Sequence, residues 1–303
     1  MKPSLDGCIR KIDRAREHIY EINNQIAAKA IKLAPARVGA KHHFYISVDR
    51  KPVNKIVFHV IGTPPQVPPN FSLLTGEVLY QLRSALDHLV YQLVVSKTKE
   101  PPTFKSAFPI VGRGTMGKKR WTSAVEEYEA CTSRLKDGIS PAALKMIDEL
   151  QPLKRGAAYK DDPLWMLQEL NNIDKHRFLH LAVISVSSYG VSVNVHGHTY
   201  EGTYRPGIAI ENGAELGSLL ITGGPPFRNE EVRVDGHLTV QVAFDDVVGE
   251  RNVPLIPRLT QLADYVDGVV KAFMCLPEWG WTVSWDRHFP PPWKAKPRTR
   301  SSP

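Results

Sequence analysis

Apolar positions along the chain fall into two rhythms, a helical one dominant before residue 178 and a strand one dominant after it. Through residues 4–33, Ile9, Ile12, Ala15, Ile19, Ile22 and Ile26 recur at three- and four-residue steps, which predicts one helical stripe. "HHFYISVD" and "KIVFHVIG" then alternate around "RKPVN", which predicts a hairpin over 42–62. "TPPQVPPNFS" reads as a rigid loop, because proline lacks a donor and blocks helix, with Asn70 or Ser72 as the cap of the next helix. That next segment, "GEVLYQLRSALDHLVYQLVVS", places Leu79, Leu82, Leu86, Leu89 and Leu93 on one stripe and is the strongest helix of the chain.

"SPAALKMIDELQP" predicts a helix capped by Ser140, with Pro141 in its first turn and Pro152 as its stop. "DDPLWMLQELNNIDKHR" predicts another, capped by Asp161 or Asp162. From 178 the period changes to two. "FLHLAVISVSSYGVSVNVHGH" reads as a hairpin turning at Ser188, Tyr189 and Gly190, and "EVRVDGHLTVQVAF" as one turning at Asp235-Gly236, with further strand around 206–221. A last helix over 254–275 turns Leu255, Leu259, Leu262, Val266, Val269 and Phe273 inward.

Runs of each element type, rather than strict alternation, predict an α+β fold. Its helical core comprises helices near 4–33, 73–97, 140–151, 163–177 and 254–275. An antiparallel sheet packs with them, its strands near 42–62 and 178–245. The expected organisation is a single globular domain over 1–284, helical mainly over 1–177 and sheet mainly over 178–250. The proline-rich basic segment 285–303 is expected to be a disordered tail.

Composition narrows the class. At 42% hydrophobic and 23% charged residues, the 303-residue chain is a folded protein. No apolar run reaches the roughly 18 residues of a membrane helix, so no membrane partner is expected. Cys8, Cys131 and Cys275 are odd in number and lack a CxxC, which fits a reducing cytoplasm. The net charge of +8 serves either nucleic acid or solubility. Basic residues gather in "GRGTMGKKRW" (112–121) and in the C-terminal "PPPWKAKPRTRSSP".

Candidate chemistry concentrates at two places. Wound at 100° per residue, the 73–97 helix places Glu77, Gln81, Ser84 and His88 nearly opposite the leucines, flanked by Tyr80, Asp87 and Tyr91. This strip reads either as polar groups satisfied inside the fold or as the lining of a cleft or dimer interface. Arg83 pairs most simply with Asp87 at i+4.

The six residues "RSALDH", Arg83 to His88, resemble the Arg-x4-6-His signature of the HEPN family. These are helical domains, many of them metal-independent ribonucleases of toxin and phage-defence systems, with the site in a cleft usually formed by a dimer. The resemblance implies RNA as partner, a homodimer, and cleavage through the 2′-hydroxyl without a cofactor. Arg83 would hold the scissile phosphate and His88 would move protons. Two departures stand out. Serine follows the arginine, and an i, i+5 pair on a regular helix points about 140° apart.

The second place is "LNNIDKHR". Met166, Leu167, Leu170 and Ile173 form an apolar arc into which Asp174 and Arg177 also fall, with Asn171 at its edge. These charges are expected to pair with each other or with Arg83, Asp87 or His88. Asn172, Lys175 and His176 can satisfy helix-end carbonyls. The block reads either as a structural junction or, with Asp174, Lys175 and His176 assisting Arg83, Asp87 and His88, as one catalytic cluster. Ligand contacts would then come from Glu77, Gln81, Asn171, Asn172 and Arg177. "RSALDHL" with "LNNIDKHR" also resembles blocks of bacterial and phage-related proteins that have no assigned activity, which implies no mechanism.

The remaining candidates are weak. His196 and His198 share a strand face but lack a third ligand. "ITGGPPF" lacks a P-loop lysine, and the chain has no GxSxG, HExxH or dinucleotide fingerprint. Three functional readings fit the sequence: a HEPN-like ribonuclease, a non-catalytic binding protein whose polar clusters are structural, and a small-molecule binder.

Overall fold

The computed structural model describes residues 3–28, 31–32, 44–51, 55–62, 67–103, 106–112, 123–176, 179, 181–195, 198–202, 212–213, 215–220, 232–244, 253–276 and 279. The helices are α1 (Asp6–Ala28), α2 (Pro69–Thr98), α3 (Ala124–Ser133), α4 (Pro141–Glu149), α5 (Pro163–His176) and α6 (Leu255–Met274). A 3-10 segment, Pro152–Asp161, joins α4 to α5 and bends at Gly156, whose φ of 64° suits glycine. The strands are β1 (Ile31–Lys32), β2 (Phe44–Lys51), β3 (Lys55–Gly62), β4 (Leu181–Val195), β5 (His198–Gly202), β6 (Glu215–Leu220), β7 (Val232–Phe244) and β8 (Val253–Pro254). The fold is α+β, and among the described residues every pairing is antiparallel. Among the described residues, no helix is long and apolar enough to cross a membrane.

The chain groups into two compact units. The first comprises 1–19, 74–178 and 258–303, and the second 20–73 and 179–257. In the first unit the helical stripes become the core. Leu79, Leu82, Leu86, Leu89 and Leu93 of α2 are buried, as are Ile12 and Ala15 of α1 and Leu259, Leu262, Val266, Val269 and Phe273 of α6. Arg16 of α1 bonds Asp264 at 3.1 Å and Asp267 at 2.9 Å on α6. The late helix therefore returns to the early ones, as its apolar face required.

The second unit holds two sheets. One has the order β1-β7-β4-β5, with β8 also on β7, and the other β2-β3-β6. Val242, Ala243 and Phe244 at the end of β7 are buried, as are Ile56 and Val57 of β3.

Three expectations are corrected. β4 and β7 are both longer than the turn residues suggested. β4 runs unbroken through Ser188, Tyr189 and Gly190, and β7 runs through Asp235-Gly236, because the two strands stay paired through both segments. Gly190 faces His237, Val191 faces Gly236 and Ser192 faces Asp235. Register shifts at Val183/Ser185 and Val186/Ser188 absorb the irregularity of β4 as bulges. Third, α2 begins at Pro69, inside the segment read as a loop. Asn70 and Ser72 are helical rather than caps. Asn70 Nδ2 donates to Gln25 at 3.2 Å, and Ser72 Oγ donates to the Leu179 carbonyl at 2.9 Å. Proline is tolerated in a first turn, where its missing N–H has no helical partner.

The cap signals of α4 and α5 hold. Ser140 Oγ accepts from Ala143 N at 3.1 Å with Pro141 beside it. Of the two aspartates offered for α5, Asp162 is the cap, its Oδ1 accepting from Leu164 N at 2.9 Å. Sequence periodicity missed α3, whose apolar residues are few. Its signal is the pair Ser123 and Glu126: Ser123 Oγ accepts from Glu126 N at 3.1 Å, the first half of a capping box. His196, Arg177, residues 206–211, 214 and 221, and segments 113–122 and 280–303 lie outside the described residues.

Candidate functional site

The candidate site is built on the middle of α2. Leu82, Ala85, Leu86, Leu89 and Val90 are completely buried, which forces Arg83, Asp87 and His88 onto the remaining arc of the helix. Arg83 is itself largely covered, its side chain 14% exposed. Its Nη1 stands 2.7 Å from Asp87 Oδ1, and its Nη2 donates to the Phe108 carbonyl at 2.8 Å. Asp87 Oδ1 in turn accepts from Phe108 N at 2.8 Å. The pair therefore clamps both backbone groups of one buried residue and supplies a segment that has no ladder of its own with hydrogen bonds. Burial pulls the Arg83 guanidinium below its ordinary value, while Asp87 opposes the shift.

His88 has a different set of neighbours. Its Nε2 lies 3.2 Å from Gln92 Nε2, and its ring stacks on Tyr91 with centroids 6.0 Å apart. Gly7, in the first turn of α1, packs on it so closely that a Cβ there would stand 2.7 Å from Nε2. Burial first, and the charge of Lys11 second, push the imidazole below its ordinary value. Arg83 thus serves Phe108 and His88 serves the start of α1. The two side chains of the Arg-x4-His pair diverge, as five-residue spacing on an unbroken helix requires.

The second cluster also touches α2, but elsewhere. The Asp174 carboxylate packs on Gly76, where a Cβ would meet Oδ1 at 2.5 Å. Gly76 precedes Arg83 by seven residues, about 10 Å along a helix. The last turn of α5 thus touches α2 at this point, and α2 needs glycine there to admit the carboxylate. The expected pairing of Asp174 with Arg83, Asp87 or His88 does not occur, because those groups are spent on one another, on Phe108 and on Gln92. Among the described residues no hydrogen bond or ion pair reaches Asp174, and burial raises its pKa. Its other expected partner, Arg177, is outside the described residues.

The remaining candidates are scattered. Asn171, one turn before Asp174, is 2% exposed. Asn172 Oδ1 accepts a long 3.5 Å bond from Gln168. Lys175 and His176 are exposed in the last turn of α5, where cations suit the helix dipole. Gln81 is half-buried. Glu77 is half-exposed and meets the buried His18 at 3.1 Å.

A third polar cluster, at the start of α5, escaped the sequence patterns. Arg155 Nε bonds the buried Asp162 Oδ2 at 3.0 Å. Burial raises the Asp162 pKa, against the Leu164 and Trp165 amides and Arg155, which favour its charge. Tyr265 of α6 faces the same pair, and burial raises its pKa too. Only the "DDP" cap signal pointed here. Among the described residues, no group of three or more His, Cys, Asp or Glu side chains is placed to hold a metal ion. Burial pushes the Cys8 thiol up to about 12, which leaves it an inert core residue.

No protein-family model, curated protein or solved structure matches the chain.

Proposed function

We propose that this chain is a non-catalytic nucleic-acid-binding protein whose Arg83–Asp87 and His88–Gln92 groups fasten the fold. The distribution of charge carries the reading. Segment 112–121 has four Lys or Arg and no acid, and segment 285–303 has five Lys or Arg and one Asp. Together they account for the entire surplus of +8, so the rest of the chain is balanced. A surplus confined to two short stretches is more economical as two phosphate-binding segments than as a general aid to solubility. Trp121, Trp285 and Trp293 within these stretches supply rings on which bases can stack.

A second reading is the HEPN-like, metal-independent ribonuclease, favoured by Arg83 and His88 themselves. Against it stands the employment of both side chains. Arg83 would have to leave Phe108, and His88 Nε2 would have to leave Gln92, before either met a phosphate or a hydroxyl.

Titrating labelled single-stranded RNA and duplex DNA with the full chain over a salt series tests the proposal. Binding should weaken with salt, and deleting 285–303 should flatten the log–log slope by about 0.7–0.9 for each phosphate no longer neutralised. Absence of binding at low salt, about 50 mM, refutes it. RNA cut in EDTA by the intact chain, but not by folded Arg83→Ala and His88→Ala, establishes the ribonuclease instead.

A further inference from the structure

The polar chain between α1 and α2 fixes the protonation of His88. The Ser4 backbone N–H can only donate, and it donates to Gln92 Oε1 at 3.0 Å. The far end of that carboxamide is therefore its NH2 group. Gln92 Nε2 lies 3.2 Å from His88 Nε2, so the amide donates and the ring nitrogen accepts. The imidazole is neutral, with its proton on Nδ1.

Among the described residues, no acceptor is placed for a second proton on Nε2. A proton on Nε2 would point at the Gln92 NH2 group. The cation would also sit against Gly7, at the amino end of α1, where the helix dipole is positive. Lys11 is the charged neighbour contributed by α1. From α2, Asp87 is already taken by Arg83 and by Phe108 N, and Tyr91 offers only its ring face.

We propose that His88 is an acid-sensitive latch: neutral, it holds residue 4 and the first turn of α1 on α2 through Gln92, and protonated at Nε2 it releases them. By linkage, a histidine that is harder to protonate folded than unfolded stabilises the folded contact above its ordinary titration range, and that stability fades as the pH falls. The latch works in the free chain, whether or not nucleic acid is its partner.

Amide hydrogen exchange on the full chain, at about pH 7.5 and about pH 5 and corrected for intrinsic rates, tests it. Protection of residues 5–12 should fall about tenfold in the acid sample, while α4 stays unchanged. His88→Gln, which keeps an acceptor but cannot titrate, should show no such fall. Equal protection at both pH values, or the same loss in His88→Gln, overturns the proposal. If His88→Gln does not fold by circular dichroism, the 15N imidazole shifts of the wild-type chain decide: a proton on Nδ1 at neutral pH supports the latch, and one on Nε2 refutes it.

Discussion

Arg83 illustrates how a residue with a catalytic-looking address can be occupied by structure. Truncating it would leave Asp87 without its cation and the Phe108 carbonyl without its donor, both part-buried. Arg83→Ala should therefore lower stability by about 2–4 kcal/mol, read as a shift in the urea midpoint. Arg83→Lys should recover only part, since a single ammonium cannot reproduce the fork that spans Asp87 and the carbonyl.

Asp174 should show the opposite sign. Burial favours its protonated form, so the folded state binds more protons than the unfolded chain, and stability declines as pH rises through its raised titration range. Asp174→Asn should be more stable than wild type at neutral pH and equal to it in acid, compared by denaturation at both. The i+4 bond from Arg83 to Asp87 was legible in "RSALDH" because it is local. The bonds to Phe108 were not, because their partner lies 21 to 25 residues away in a segment with no period to place it.

Among the elements, the junction before α5 depends most on one side chain. Asp162 caps the helix and neutralises Arg155 while buried. Asp162→Ala should cost about 3–5 kcal/mol, the range for breaking a buried pair, with Asp162→Asn costing less because the cap survives. Thermal melting of the two variants separates cap from charge. Gly112 is a second such point: a Cβ there would lie 2.5 Å from the Trp165 ring and 2.8 Å from Tyr159. The Trp165 ring is buried and has little room to swing, so Gly112→Ala should cost about 1–3 kcal/mol in the same assay.

The helices were readable because a stripe of leucines or isoleucines has one sensible burial. The interior of β4 and β7 was not, because Gly190 and Asp235-Gly236 carry turn chemistry. Only the pairing of the two strands shows that the ladder continues through these residues. α3 escaped notice for the reverse reason: its capping box is plain, but Val125 is exposed and its buried residues are Glu127 and Thr132.

For the whole molecule, the decisive feature is that neither compact unit is a continuous stretch of chain. The boundaries at 19/20, 73/74 and 257/258 fall inside α1, α2 and α6. A chain ending at 178 would contain most of the helical unit but lack α6, whose Leu259, Leu262, Val266, Val269 and Phe273 are buried. Such a truncation should lose its cooperative thermal transition, and adding residues 254–279 in trans should restore it. A sharp transition without α6 would contradict the burial of that helix.

The same order of segments sets a timetable on the ribosome. Residues 1–178 emerge before α6, whose Asp264 and Asp267 bind Arg16 of α1, and that helix is finished only about 100 residues later. At the usual pace of translation that is a wait of about 5–20 s. During that interval the nascent chain is a client for chaperones, and slow codons between 178 and 254 would lengthen its exposure.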